Sequence, residues 1–138
     1  MAVPAYHSPR SVTEGLLSID VGPQYETCLI RLGGELDGSS ADALFTELNR
    51  LLATDAQTIL LDLEGLDFID SVGLQCLVRA ARRSRDRGDQ LRIVGARGQV
   101  QELLSLTGLN TALPLIDDPS SPVFGLSSPN APPRLVRP

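Results

Sequence analysis

The run Thr58 to Leu63 (TILLDL) is short, rich in apolar residues, and followed within a few positions by a helical pattern. A run of that length and composition is expected of a central strand covered on both faces, which demands neighbouring strands and helices packed upon them. The flanking periods agree. Leu17, Ile19 and Val21 alternate with polar residues, and so do Cys28, Ile30 and Leu32 after Gly22-Pro23, which predicts a β-hairpin. Ala41, Leu44, Phe45, Leu48, Leu51 and Leu52 then recur at helical spacing behind Ser39 and Ser40, either of which can cap, with Asp42 in the first turn. Residues 64–70 are expected to form a loop and residues 71–87 a second helix, with Leu74, Leu77, Val78 and Ala81 as its core stripe and Gly88 ending it. A short strand over 91–94 and a third helix over 99–106, stopped at Gly108, follow. The last strand, 113–116, belongs at a sheet edge because Pro114 cannot donate to a central ladder. The predicted order β-β-α-β-α-β-α-β implies an α/β fold, a mixed sheet of four to five strands with helical layers on it.

One domain, residues 16–117, accounts for the core. Residues 1–15 show no apolar period and are expected to be a flexible lead-in. Residues 118–138 carry Pro119, Pro122, Pro129, Pro132, Pro133 and Pro138 among serines, a composition expected to stay disordered, with Phe124, Leu126, Leu135 and Val136 as candidate docking side chains. The formal net charge of -5 argues against non-specific binding to nucleic acid or anionic lipid and favours a protein partner. No apolar stretch approaches the roughly 20 residues of a membrane span, and the first residues lack a secretory h-region, so a cytoplasmic protein is expected. The only histidine is His7, which leaves no His/Cys metal cluster and no base for a serine nucleophile; neither a cofactor nor catalysis is expected. A monomer is expected.

Chemistry concentrates in Asp62 to Leu74 (DLEGLDFIDSVGL), where the strand passes into the helix, since sites in such sheets favour the carboxyl ends of strands. Ser71 fits an N-cap, worth ~1 kcal/mol, or an accessible hydroxyl switch. Gly73 tilts the reading toward the switch: a glycine in the first turn costs ~1 kcal/mol relative to alanine, and a bare backbone there would let another surface approach Ser71. A phosphate on Ser71 would meet free N–H groups and also Asp70 and Asp37, the latter from the GGELDGSS segment expected at the same end of the sheet. The glycines of that segment match no phosphate-binding loop and are read as turns. By helical phase Val72, Cys76, Arg79 and Arg83 form a mixed stripe opposite the core, a candidate partner surface on which Cys76 would be accessible and open to oxidation, while Cys28 shares the face of Ile30 and Leu32 and should be buried.

Three segments, GELDGSSA (34–41), TILLDLEGLDFIDSVGL (58–74) and LRIVGARGQVQELLSLTGL (91–109), resemble the STAS domain in its anti-sigma-factor-antagonist form. The resemblance covers about residues 16–116 and implies the STAS-type fold. It implies that Ser71, the serine of the D-S-x-G signature, is phosphorylated by an anti-sigma factor that is a serine kinase. The unphosphorylated form would bind that partner and free a sigma factor, phosphorylation would eject it, and a phosphatase would reset the cycle. Asp37 matches the aspartate of the family's G-E-L-D loop and Gly73 the signature glycine. Members without a regulated serine serve as constitutive scaffolds or transport-complex subunits, the alternative reading.

Overall fold

The computed structural model describes residues 9–116. Five strands lie side by side in chain order: β1 (Arg10–Glu14), β2 (Leu17–Val21), β3 (Thr27–Leu36), β4 (Thr58–Ile69) and β5 (Leu91–Val94). The first three pair antiparallel, and β3 with β4 and β4 with β5 pair parallel, so the sheet is mixed as expected. The helix α1 (Ala41–Leu52) connects β3 to β4, and α2 (Ser71–Asp86) connects β4 to β5; α3 (Gly98–Leu106) and the single turn α4 (Leu109–Ala112) follow.

Alternation sets the faces. Cys28, Ile30 and Leu32 of β3, Ile59, Leu61 and Leu63 of β4, and Leu91 and Ile93 of β5 point to one side, where they form one core with Leu44, Leu48 and Leu51 of α1, Leu74 and Leu77 of α2, and Val100 and Leu104 of α3. Among the described residues the helices pack on that side, and the second covering expected over TILLDL is not found among them. Leu60 belongs instead to a small separate cluster with Val94, against which Leu29 and Ile116 pack.

Four boundaries differ from the sequence reading. The lead-in expected over residues 1–15 contains β1, antiparallel to β2 from Arg10–Val21 to Glu14–Leu17. Its single apolar residue facing the core, Val12, is too little for a period to register, and an ion pair from Arg10 to the buried Glu47 of α1 (2.9 Å) helps hold it. The expected loop 64–70 is the second half of β4, paired with Gly33–Leu36. The glycines read as turns, Gly33 and Gly34, therefore lie inside β3, where the ladder shifts register. At Gly34 (φ +91) a Cβ would collide with the Leu16 carbonyl oxygen, so the close approach of the β1–β2 turn to β3 needs glycine there. The last expected strand is a single parallel bridge between Ile93 and Leu115 at the β5 edge, the side anticipated from Pro114, whose carbonyl accepts from the Ile93 N–H (2.8 Å). The tail expected at 118–138 lies outside the described residues.

Candidate functional site

The carboxyl ends of β3 and β4 meet where α1 and α2 begin. Leu36 is in register with Ile69, and the Asp70 N–H donates to the Leu36 carbonyl (3.2 Å), so Asp37 and Ser71 leave the sheet side by side. That juxtaposition of Asp37 with Asp70 and Ser71 is the one anticipated from the sequence.

Asp70, not Ser71, caps α2. Its backbone is extended and its carboxylate accepts from the Gly73 N–H at 2.9 Å, taking one of the helix's orphan donors. Ser71 is thereby the first helical residue, exposed, and its hydroxyl makes no hydrogen bond among the described residues. The cap that would have explained Ser71 structurally belongs to its neighbour.

Gly73 is not an opening for a partner. It is buried, and a Cβ there would meet the Leu36 carbonyl oxygen at 2.6 Å and Ile69 Cγ1 at 2.8 Å. The missing side chain lets the first turn of α2 sit against the end of β3, which is what presents Ser71 beside Asp37. The glycine supports Ser71 from beneath.

Asp37 is held by its own loop. Its carboxylate accepts from the Ser39 hydroxyl (2.7 Å) and the Ser39 N–H (2.9 Å), and these bonds lower its pKa, keeping it ionised. Its carbonyl accepts the Ala41 N–H (2.9 Å), starting α1. Two carboxylates and a free hydroxyl thus share one rim of the domain.

The mixed stripe on α2 is largely a seam with α1. Cys76 Sγ donates to the Ala41 carbonyl (3.4 Å), Arg79 stacks over the Phe45 ring at 4.0 Å, and Arg83 Nε donates to Asn49 Oδ1 (2.8 Å). Those three partners are spaced four residues apart on α1, matching one row of its surface. Cys76, expected to be accessible, is 2% exposed, and burial pushes its thiol up to about 12, with Arg79 lowering and Asp42 raising it. A thiol so buried and protonated is a poor oxidation target, which removes the redox reading. Cys28 is buried as expected, its pKa raised to about 11 mainly by desolvation. Val72 (43% exposed) and Arg79 remain on the surface at the seam's rim.

Three features of the site escaped the sequence. Leu16, in the β1–β2 turn, and Phe68, next to the end of β4, are 68% and 38% exposed. Both meet β3 at one residue, since Leu16 O accepts the Glu35 N–H (3.0 Å) and Phe68 is in register with Glu35. With Val72 they add apolar surface to the rim. Gln99, in the first turn of α3, holds the end of β4 from the other side: its Oε1 accepts the Ile69 N–H and its Nε2 donates to the Ile69 carbonyl, both at 3.0 Å. β5 ends at Val94, so the Gln99 amide takes the place of a neighbouring strand just before Asp70 and Ser71. Among the described residues no His/Cys/Asp/Glu group could hold a metal.

The family profile of the STAS domain matches residues 18–121. The chain belongs to the STAS domain family. This STAS domain is 25% identical over 103 residues to the anti-sigma F factor antagonist of Paenibacillus polymyxa, an alignment covering 74% of this chain and 88% of that protein. It is 27% identical over 93 residues to the anti-sigma-B factor antagonist of Staphylococcus aureus, covering 67% and 86% respectively. Its fold is similar to the crystal structure of an anti-sigma factor antagonist from Mycobacterium paratuberculosis, at a TM-score of 0.61 and 25% identity, covering 72% of this chain and 84% of that one. In this STAS domain, no helix among the described residues is long and apolar enough to cross a membrane.

Proposed function

We propose that this STAS domain is an anti-sigma factor antagonist switched by phosphorylation of Ser71. Unphosphorylated, it binds an anti-sigma factor that is a serine kinase and so releases a sigma factor; phosphorylated, it is ejected, and a phosphatase restores it. The observation carrying this reading is the transfer of the cap to Asp70. Ser71 stands exposed at the start of α2 with a hydroxyl that serves no bond in the fold, so a kinase can reach it and modification costs the fold little. The similarity to two curated antagonists supports the partner class.

The physical consequence of phosphorylation follows from the rim. A phosphoserine adds about -1.5 to -2 charges. At the N-terminus of α2 the helix dipole offsets part of that, by ~0.3–1 kcal/mol at a surface site. Asp70 and Asp37 oppose it, and in a closed interface all three would have to shed water together. The rim around Ser71, with Asp37, Asp70 and Val72 and with Arg79 further along α2, is the partner surface in this reading. The domain itself performs no catalysis; it is the substrate of its partner.

The test is mass spectrometry of the full chain after incubation with ATP and the soluble anti-sigma kinases of the host cell, with Ser71→Ala beside it. One phosphate mapped to Ser71 and absent from the variant is expected, together with loss of kinase binding in Ser71→Glu. An unmodified protein under conditions that phosphorylate a control antagonist would assign the chain to constitutive scaffolds or transport-complex subunits instead.

A further inference from the structure

Among the described residues, the parallel half of the sheet has helices on one face only. The buried apolar side chains of α1, α2 and α3 all join the main core. On the other face Leu60 and Val94 form the second cluster, joined among the described residues by Leu29 and Ile116. Parallel strands are almost always covered on both faces. Beside Leu29 this face also holds an open hollow of about 480 Å³, lined among others by Pro9, Val21, Gly22, Leu29 and Arg31.

The chain runs onto this same face as it leaves the described residues. The Ile116 N–H donates to the Ile93 carbonyl (2.8 Å), and its side chain packs on the Leu60–Val94 cluster. Residues 117–138 continue from there, with Val123, Phe124 and Leu126 as their first large apolar group. At no more than ~3.3 Å per residue, Phe124 can reach ~26 Å from Ile116. From β5 to β2 is three strand spacings, ~14 Å. The face itself is of mixed charge, with Arg31 paired to Asp62 (3.9 Å) and Asp20 also lining the hollow, so the path is set by the point of attachment and the length of the segment. Attachment at Ile116 gives a millimolar effective concentration, enough for a small apolar patch to be occupied.

We propose that the chain's own C-terminal segment covers this open face, with Phe124 entering the hollow beside Leu29 and Leu126 next to it. The fold then has two layers over its sheet: helices on the side of the main core, and a strap of residues 117–126 on the other. This assignment is independent of Ser71.

Solution NMR on the full chain with labelled methyl groups tests it. Cross-relaxation between the Phe124 ring and the Leu29 and Val94 methyls is expected, with strand-like heteronuclear relaxation at residues 123–126. Phe124→Ser should abolish these contacts and shift the Leu29 and Leu60 methyl signals while leaving the Ser71 amide in place. Coil-like relaxation at 123–126, with methyl signals unmoved by Phe124→Ser, overturns the proposal. Contacts that vanish on fifty-fold dilution overturn it too, because they would come from a second copy.

Discussion

Replacing Gln99 by leucine tests whether one side chain holds the strand end that presents Ser71. The variant keeps much of the side-chain volume and removes both 3.0 Å bonds to Ile69. A protein hydrogen bond contributes ~1 kcal/mol net, so the pair is worth ~2 kcal/mol. Ile69 is fully buried, and its N–H and C=O lose their partner on the β5 side, which adds part of the ~1–3 kcal/mol cost of an orphaned group. The sum is a destabilisation of about 2–4 kcal/mol. With a urea m-value of about 2 kcal/mol/M, the unfolding midpoint should fall by about 1–2 M, and the Ile69 amide should exchange faster than the rest of β4. Gln99→Glu refines the test. It keeps an acceptor for the Ile69 N–H but, when ionised, turns an oxygen toward the Ile69 carbonyl. Protonation restores a donor there, so the folded-state pKa should lie above the unfolded value, and stability should be retained at low pH and lost as pH rises through the folded pKa. A Gln99→Leu midpoint within about 0.3 M of wild type, with Ile69 exchange unchanged, would refute the reasoning.

Capping assigns opposite outcomes to adjacent residues: Asp70→Ala should cost ~1 kcal/mol, while Ser71→Ala stays within ~0.5 kcal/mol of wild type in the same urea titration. Equal losses at both would return the cap to Ser71. Gly73→Ala gains ~1 kcal/mol of helix propensity but drives a methyl into the Leu36 carbonyl and the Ile69 side chain, so calorimetry should show a lowered melting temperature, a net loss of ~1–3 kcal/mol. A higher melting temperature would mean that the close contact relaxes freely. Cys76, with its thiol pushed up to about 12, should be inert to Ellman's reagent at pH 8 in the folded protein and titrate only in denaturant. Complete reaction of both thiols within minutes under native conditions would contradict its burial.

The alternating and helical periods marked most of the elements because each buries a contiguous apolar face against one core, as Ile30, Leu48, Leu61 and Leu77 do. They failed in two places for different reasons. β1 turns only Val12 to the core, while in the distal half of β4 the register shifts beside Gly33 and Gly34 bring Leu63, Leu66 and Ile69 to the core at spacings of three, so no period of two can register. Asp37, Asp70 and Ser71 were legible as a group because each stands at the end of a strand in a parallel pair, and such ends come together by topology. Gln99 was not legible: its role depends on β5 stopping short of Ile69, a difference in strand length that no local pattern announces.

The misreading of Cys76 has a physical cause that also clarifies the switch. α2 buries two rows: Leu74, Leu77 and Ala81 at spacings of three and four, and the small residues Gly73, Cys76 and Ala80 with Ser84 at the same spacings. Small side chains contribute little to an apolar period, yet they are what a close helix–helix or helix–strand approach requires. The second row meets Leu36 at Gly73 and Ala41 at Cys76, and Ser84 Oγ accepts the Leu91 N–H (2.9 Å), so it ties α2 to β3, α1 and β5 in turn. A helix fastened along its length in this way presents Ser71 on a rigid base. In the proposed switch, phosphorylation of Ser71 would therefore act through the charge at the rim without moving the helix, and a phosphorylated chain should show amide shifts confined to residues near 35–40 and 68–74. Shifts spread along α2 as far as Ser84 would instead require a change of packing, and the rigid-base account would fail.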